Sequence, residues 1–486
     1  MASNSTTVYG GDDINAIVLD PGSYNSRIGY AGDDFPKIVT ESFYATPNEE
    51  TMEIDGKPRR IFGESINVPR PNYDIKPILK DSVIIDWDAA LEQYEYYFKD
   101  VMKIDYQEQP ILITEPIWTE SSYRKTLIEN FYENFQFSAL YLAKTPSCVS
   151  FQQGRPNCLV VDIGHDSISV TPVIDGISLM KHSVRTHYGG QFINDQIEDL
   201  IINQKKIKFE PKYKIKSKTG TTYPQEPIYS LKTPEFENIT KSFEDYQRQK
   251  VWHEFKETML EIPDRSFLIN NIQQKTQVKE FYSQDSHKRL FELPTGQSIE
   301  MGIERFQLAD SIFHPELAKF DENSSFASKY PHENGELSLE NKYDDYKPLK
   351  RVRKNESNQS TPPPSETGDS STTPPKTTIR GLGQLITYTL STINIDLRAA
   401  VAHNIIVTGG LSLVSQLTER LYNELSNSNP GLKIRLHAVG NSSERVNQAW
   451  IGGSVLSSLG TFHQMWVTKQ EYEEAGVDRI LNQRFR

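Results

Sequence analysis

Two short stretches carry residue types spaced for polyphosphate and metal chemistry. In the first, Ala16-Ile17-Val18-Leu19-Asp20-Pro21-Gly22-Ser23-Tyr24, an apolar run ends on a carboxylate and then turns. Gly22 leaves the main chain open to a ligand, and the turn amides with the Ser23 hydroxyl form a small anion-holding nest. Asp20 suits a hydrated Mg²⁺, which keeps most of its waters and needs only one or two carboxylates nearby. Alone, the stretch also reads as a hairpin with an ordinary Pro-Gly turn. A second copy adds weight to the first reading. Cys158-Leu159-Val160-Val161-Asp162-Ile163-Gly164-His165-Asp166-Ser167 repeats the strand, the Asp and the Gly, with Asp162 lying 142 positions after Asp20. Two such hairpins facing each other clamp a polyphosphate from both sides, and clefts between like-built halves are where ligands usually sit.

The elements that must hold these turns follow in order. Val83 to Asp88 leads into a helix over 89–102, with Leu91, Tyr94, Phe98 and Met102 on one face and Asp86 or Asp88 as its cap. Ile111 to Thr114 is a short buried strand, and 121–135 reads as a helix capped by Ser121 or Ser122. Gly189-Gly190 opens a further helix, another runs over 244–260, and Leu293-Pro294-Thr295-Gly296-Gln297 is a hairpin turn. Residues 404–412 read as strand, double glycine and helix start, a junction whose free amides and dipole favour an anion. This alternation around a repeated hairpin predicts an α/β architecture of duplicated halves.

Composition bounds the rest. The chain of 486 residues has room for two or three domains. A net charge of −12 excludes a nucleic-acid footprint over the whole surface. Cys148 and Cys158 are the two cysteines, which fits a reducing compartment rather than a disulfide framework. Met1 to Asp13 is polar and lacks the apolar centre of a secretory signal. No run approaches the ~18 apolar residues of a membrane span, so the expectation is an intracellular, soluble protein with no membrane partner.

Two segments stand apart. Lys205 to Lys218 holds seven lysines and one acid, Glu210. It is either a solvated loop or an arm with sequence-blind attraction to DNA phosphates. From about 318 to 378 the chain collapses into Ser, Thr, Pro, Asn, Glu and Lys, which predicts a disordered insertion that cannot offset its ordering entropy. Within it Lys347 to Lys354, with five basic residues in eight, is either a nuclear-import signal or a solvated run.

The end of the chain carries a family likeness. Ala449-Trp450-Ile451-Gly452-Gly453-Ser454, Phe462-His463-Gln464-Met465-Trp466 and Lys469-Gln470-Glu471-Tyr472 resemble the C-terminal region of the actin family almost letter for letter. The Asp20 hairpin with Ala31-Gly32-Asp33-Asp34, Leu112 to Glu115, Leu293 to Gln297 and Thr408-Gly409-Gly410 agree with it. The likeness spans the chain except about 205–240 and 318–378, and thins over 42–75. It implies the actin-like, duplicated ribonuclease-H-like ATPase fold, with two lobes around a nucleotide cleft. The first lobe would take 1–152 with 438–486, including 42–75 as its small subdomain. The second would take 153–188 with 379–437, and 189–317 would form its small subdomain with a basic insertion at 205–240.

The resemblance also implies a site. Phosphate contacts fall at Gly22, Ser23, Tyr24 and Arg27, and a second phosphate loop at His165, Asp166 and Ser167. Nucleoside contacts fall at Gly190, Lys256, Glu257, Gly409, Gly410 and Leu413. Asp20 and Asp162 would hold Mg²⁺ or Ca²⁺ through water beside ATP. The departures matter more. The family has Gly where Tyr24 stands, Lys where Arg27 stands, and Asp-Gly where His165-Asp166 stand, so Asp166 adds bulk beside the terminal phosphates. The Gln that orients the hydrolytic water is matched by Thr145, and the His that assists it by Ser169. Phosphoryl transfer to water depends on such positioning groups, so the expectation is ATP bound but barely hydrolysed, with no catalytic residue. Segment 42–75 matches the loop that enters the next subunit of a filament. Here it carries Glu49, Glu50, Glu53, Pro58, Arg59 and Arg60, and self-filaments are not expected.

Within the family the pattern is most similar to a nuclear subfamily, on Val8-Tyr9-Gly10-Gly11-Asp12-Asp13, Gly154-Arg155-Pro156-Asn157, the two insertions and Arg484-Phe485-Arg486. That likeness implies a chromatin regulator: a structural subunit of histone acetyltransferase complexes of the NuA-four type and nucleosome remodellers of the SWR and INO-eighty types. There it would pair with monomeric actin on a helical scaffold segment and contact histones, the nucleosome or DNA, in transcription regulation and DNA repair. The competing expectation is an active actin-like ATPase that regulates actin assembly. A cytoplasmic actin capper is the third.

Overall fold

The computed structural model describes residues 16–48, 59–232, 238–321, 324–330, 337–338, 380–438 and 440–485. Two mixed sheets repeat one design. In the first, strand Ile17–Asp20 lies antiparallel to Asn25–Tyr30 and parallel to Pro110–Glu115, with Asp20 opposite Arg27. In the second, Cys158–Ile163 lies antiparallel to Ile168–Ile174 and parallel to Ile405–Thr408, with Asp162 opposite Ser169 and Thr408. Each Asp therefore stands at the carboxyl end of a central strand, where parallel sheets collect ligands. Ile17, Val18 and Leu19 are fully buried, as are Leu159 and Val161. Strands covered on both faces read as unbroken apolar runs for this reason.

Each sheet has its own core, and a helix near the C-terminus closes the first. Helix Gln448–Ser458 brings Trp450 beneath strand Ile17–Asp20, where the indole Nε1 donates to the Val18 carbonyl at 3.0 Å. A Cβ on Gly452 would sit 1.8 Å from the Cys148 carbonyl oxygen, so only glycine lets this helix rest on helix Thr145–Gln152. Both cysteines are buried free thiols. Among the described residues no helix is long and apolar enough to cross a membrane.

Several local expectations need correcting. Asp86 does cap helix Trp87–Glu95, accepting from the Ala89 amide. Helix Ser121–Glu129, however, follows Glu120 with no side-chain cap, and its last turn widens over Asn130–Asn134 as Phe131 and Tyr132 turn into the core. Gly410–Leu413 is a single tight turn, and the α-helix starts only at Leu417; one turn sums too few peptide dipoles to supply the expected helix field. The lysine run 205–218 is not an open loop. Strand Ile215–Thr219 pairs with Ile228–Leu231, and Lys205, Lys214 and Lys218 are paired with Glu304, Glu244 and Glu292.

The disordered segment begins too early at 318. Ala318 is buried, Phe320 stacks on Tyr330 at 5.8 Å, and the Tyr330 hydroxyl and Lys329 bind the buried Asp195 carboxylate. Three aromatics among polar neighbours anchor 318–330, and Leu337–Ser338 adds an edge strand beside Val184–Thr186. The Lys347 to Lys354 run, Met1 to Asp13, the stretch 49–58 and Arg486 lie outside the described residues.

Candidate functional site

The two hairpins face each other across a cavity of about 520 Å³. Asp20, Gly22, Ser23, Tyr24 and Arg27 line one wall, and Asp162, His165, Asp166 and Ser167 the other. Gly190, Lys256, Glu257, Gly409, Gly410 and Leu413 close it, so every sequence-predicted position falls in one cleft. At Gly409 the backbone takes φ +89°, and a Cβ would lie 2.4 Å from the Ile163 carbonyl oxygen. The second glycine turn is thus wedged against the Asp162 hairpin.

The carboxylates differ in their surroundings. Asp20 accepts from the Thr114 hydroxyl and faces the Arg27 guanidinium at 3.4 Å. Arg27 also donates from Nε to Asn447 at 2.6 Å, which fixes its reach. Burial and the charge of Asp20 push the Asp162 carboxyl up to about 6, opposed by Arg27. No group of three or more His, Cys, Asp or Glu side chains able to hold a metal occurs among the described residues. Two carboxylates, one of them short of positive charge, fit a cation that brings waters and phosphate oxygens of its own; they do not fit a protein-caged metal.

Basic and aromatic groups meet at the far wall. Burial pulls the Lys256 ammonium down to about 8, against the pull of Glu257, and its Nζ donates to the Gly190 carbonyl at 3.3 Å. An anionic ligand beside it would raise that value again. Burial, with the charges of Lys256 and His253, holds His165 well below its ordinary value. Tyr24 stacks on His253 at 4.5 Å and leans on His165 at 4.8 Å.

Sequence reasoning missed the roof over the two hairpin turns. It is the turn Asp81-Ser82 between the two-residue strands Leu79–Lys80 and Val83–Ile84. Its amides reach both hairpins: Ser82 N donates to Ser23 Oγ at 2.7 Å, and Asp81 N to Asp166 Oδ2 at 2.8 Å. The Asp81 carboxylate faces His187 at 3.4 Å and Arg185 at 3.8 Å. Burial pushes Asp81 up, but the His187 hydrogen bond and the charges of His187, Arg185 and Lys80 outweigh it and hold the carboxyl below its usual range. Nothing local marks Asp81 beyond a polar pair between short strands. His253 was findable, since it lies one helical turn before Lys256 and Glu257.

The water-steering positions are quiet. The Thr145 hydroxyl donates to the Glu115 carbonyl at 3.1 Å, which commits its proton to the strand end. Ser169 lines the cavity opposite Asp162 with a side chain too short to span it.

Duplicated sheets, facing Asp hairpins and a shared cleft define a two-lobed nucleotide-cleft protein. A model of the family described as Actin matches residues 11–486, and the chain belongs to the actin family, whose fold generally binds a nucleotide and a divalent cation. Over its whole length it is similar to fungal proteins named Actin-related protein 4. It is 68% identical to that of Debaryomyces hansenii, covering 100% of this chain and 99% of the relative. Identity is 60% to the Candida albicans protein at the same coverage, and 37% to the Saccharomyces cerevisiae protein over 100% of both.

Proposed function

We propose that this chain is a nucleotide-holding, non-hydrolysing structural subunit of nuclear chromatin-modifying assemblies. The observation that carries the non-hydrolysing part is Thr145: a short hydroxyl whose proton is already given to the Glu115 carbonyl has no proton left to orient an incoming water. Arg27, Ser23 and the Gly22 turn would bind phosphate oxygens on one wall, and Ser167 with the His165-Asp166 loop on the other. A divalent cation, when bound between Asp20 and Asp162, neutralises phosphate charge. Lys256 and Glu257 orient the nucleoside, and the Asp81-Ser82 roof excludes water. ATP is then a structural ligand, and a ligand bound only by the folded state at a thousandfold over its Kd stabilises it by about 4 kcal/mol.

The name shared by the fungal relatives, Actin-related protein 4, supports a structural role. The proposed partners are monomeric actin, a helical scaffold segment and histones or the nucleosome. Lys206, Lys212 and Lys216, which form no ion pair among the described residues, are the candidate DNA-contacting positions. Single-turnover phosphate release from purified protein, with and without monomeric actin, is expected to stay near background. Release at the rate of filamentous actin rejects the reading in favour of a cycling ATPase. Affinity purification with mass spectrometry of the bound subunits tests the partners.

A further inference from the structure

The arm 318–330 lies against the helix behind the second phosphate loop. Ala318 is buried, and Phe320 meets Phe192 at 6.2 Å. Tyr330 packs on Phe192 at 4.9 Å and meets Tyr188 at 6.4 Å. The Asp321 amide donates to Asp199 Oδ2 at 2.9 Å, and Gln204 Nε2 to the Lys319 carbonyl at 3.0 Å. These partners sit on or beside helix Gly190–Glu198 and its continuation Asp199–Gln204, and Gly190 itself lines the cleft.

Asp195 is the junction between arm and loop. It is only 1% exposed. Its Oδ2 meets the Lys329 ammonium at 2.5 Å and accepts from the Tyr330 hydroxyl at 2.8 Å. Its Oδ1 accepts from Gln191 Nε2 at 2.6 Å, and the Gln191 amide donates to the His165 carbonyl at 2.7 Å. Lys329 is the one ion-pair partner of Asp195 among the described residues. Its charge reaches His165 and helps to push that ring down. Gln191, Asp195 and Lys329 therefore run in series from the loop facing the cleft to the arm. The insertion has a second foothold. Leu337–Ser338 pairs with Val184–Thr186, with Leu337 opposite Arg185, and Arg185 faces Asp81 at 3.8 Å.

We propose that the arm and the ligand of the cleft are coupled: a polyphosphate at the His165, Asp166 and Ser167 loop tightens the arm, and freeing the arm loosens the polyphosphate. This coupling rests on the nucleotide reading above and adds what regulates it. Two effects of the docked arm have the same sign. Lys329 brings positive charge to the back of an anion site. It also neutralises Asp195, so that Gln191 is held between that carboxylate and the His165 carbonyl. With the arm off, Asp195 is a buried charge without a cation. Linkage makes the effect reciprocal. A partner that draws the arm off Asp195 lowers ligand affinity by the factor by which the ligand tightens the arm.

The test uses the purified full chain, stripped with a chelator and titrated calorimetrically with Mg-ATP. Lys329→Met, which keeps length and loses charge, is expected to weaken binding about tenfold, and Tyr330→Phe about threefold. Lys329→Arg is expected to keep the parental affinity. So is Lys319→Met, which removes the same charge from the arm without touching the Asp195 carboxylate. Hydrogen exchange at the Asp321 and Tyr330 amides is expected to slow about fivefold when Mg-ATP is bound. Parental affinity in folded Lys329→Met and Tyr330→Phe overturns the coupling and leaves the ligand reading standing. So does an equal loss in Lys329→Arg. Arm amides that ignore Mg-ATP do the same, and they are read on the parent chain, so this readout survives a variant that does not fold. No binding of Mg-ATP by the parent overturns the ligand reading and the coupling with it.

Discussion

The Asp20 and Asp162 hairpins are near-copies in sequence and topology, yet their carboxylates live differently. Asp20 is held within its own half by Thr114 and Arg27. Asp162 forms no ion pair among the described residues, and burial with the charge of Asp20 pushes it up to about 6 against Arg27. Their parallel neighbours diverge too. Strand Pro110–Glu115 ends in a buried ion cluster, with Glu115 meeting Lys144 at 2.9 Å and Arg124 at 3.0 Å, whereas Ile405–Thr408 ends in the glycine turn. One hairpin is a fixed wall, and the other is a wall that a ligand completes.

The largest break in this comparison is Glu115→Gln. It leaves Lys144 and Arg124 buried without a carboxylate and is expected to cost ~3–5 kcal/mol, read by denaturant unfolding. Burial pushes Glu115 up, but Lys144 and Arg124 outweigh it and hold the carboxyl below its ordinary value. The Glu115 contribution is therefore present above the ordinary carboxylate range and lost as pH falls through the depressed folded value. An acid titration of Glu115→Gln is expected to be flatter than that of the parent over that window. Gly409→Ala strikes the second wall. A left-handed alanine pressed against the Ile163 carbonyl is expected to cost about 3 kcal/mol and lower the melting temperature with or without nucleotide.

Asp162→Asn sharpens the contrast. It is expected to remove about 2 kcal/mol of the roughly 4 that Mg-ATP confers, with the ligand-free melting temperature little changed. Asp20→Asn is expected to lower that ligand-free value as well, because only one of the two oxygens that serve Thr114 and Arg27 remains and Arg27 loses its counter-charge. The smallest effect is a gain. Thr145→Gln with Ser169→His supplies side chains long enough to steer water, and single-turnover release is expected to rise about tenfold, or ~1.4 kcal/mol of barrier.

The hairpins were legible because turn chemistry and strand burial are local: Pro21-Gly22-Ser23 and Ile163-Gly164 state their geometry within a few residues. Gly452-Gly453 was legible as a family feature, and the Cys148 carbonyl supplies its reason. The contact between Asp74 and Ser242 was not legible, since they meet across 168 positions and neither is unusual alone. Asp81 acts through its amide, and any residue but proline has one. The insertion boundary at 318 failed because averaged polarity hides Phe320 and Tyr330, whose packing decides the matter.

The Trp450 indole reaches the Val18 carbonyl across 432 residues. A ribosome adding ~5–20 residues per second needs roughly 20–90 seconds to deliver that tryptophan after the strand has emerged. Throughout that interval the Val18 face of the strand waits for its cover. A newborn chain with that face open is exposed to its neighbours, and its yield is expected to depend on shielding as well as on final stability.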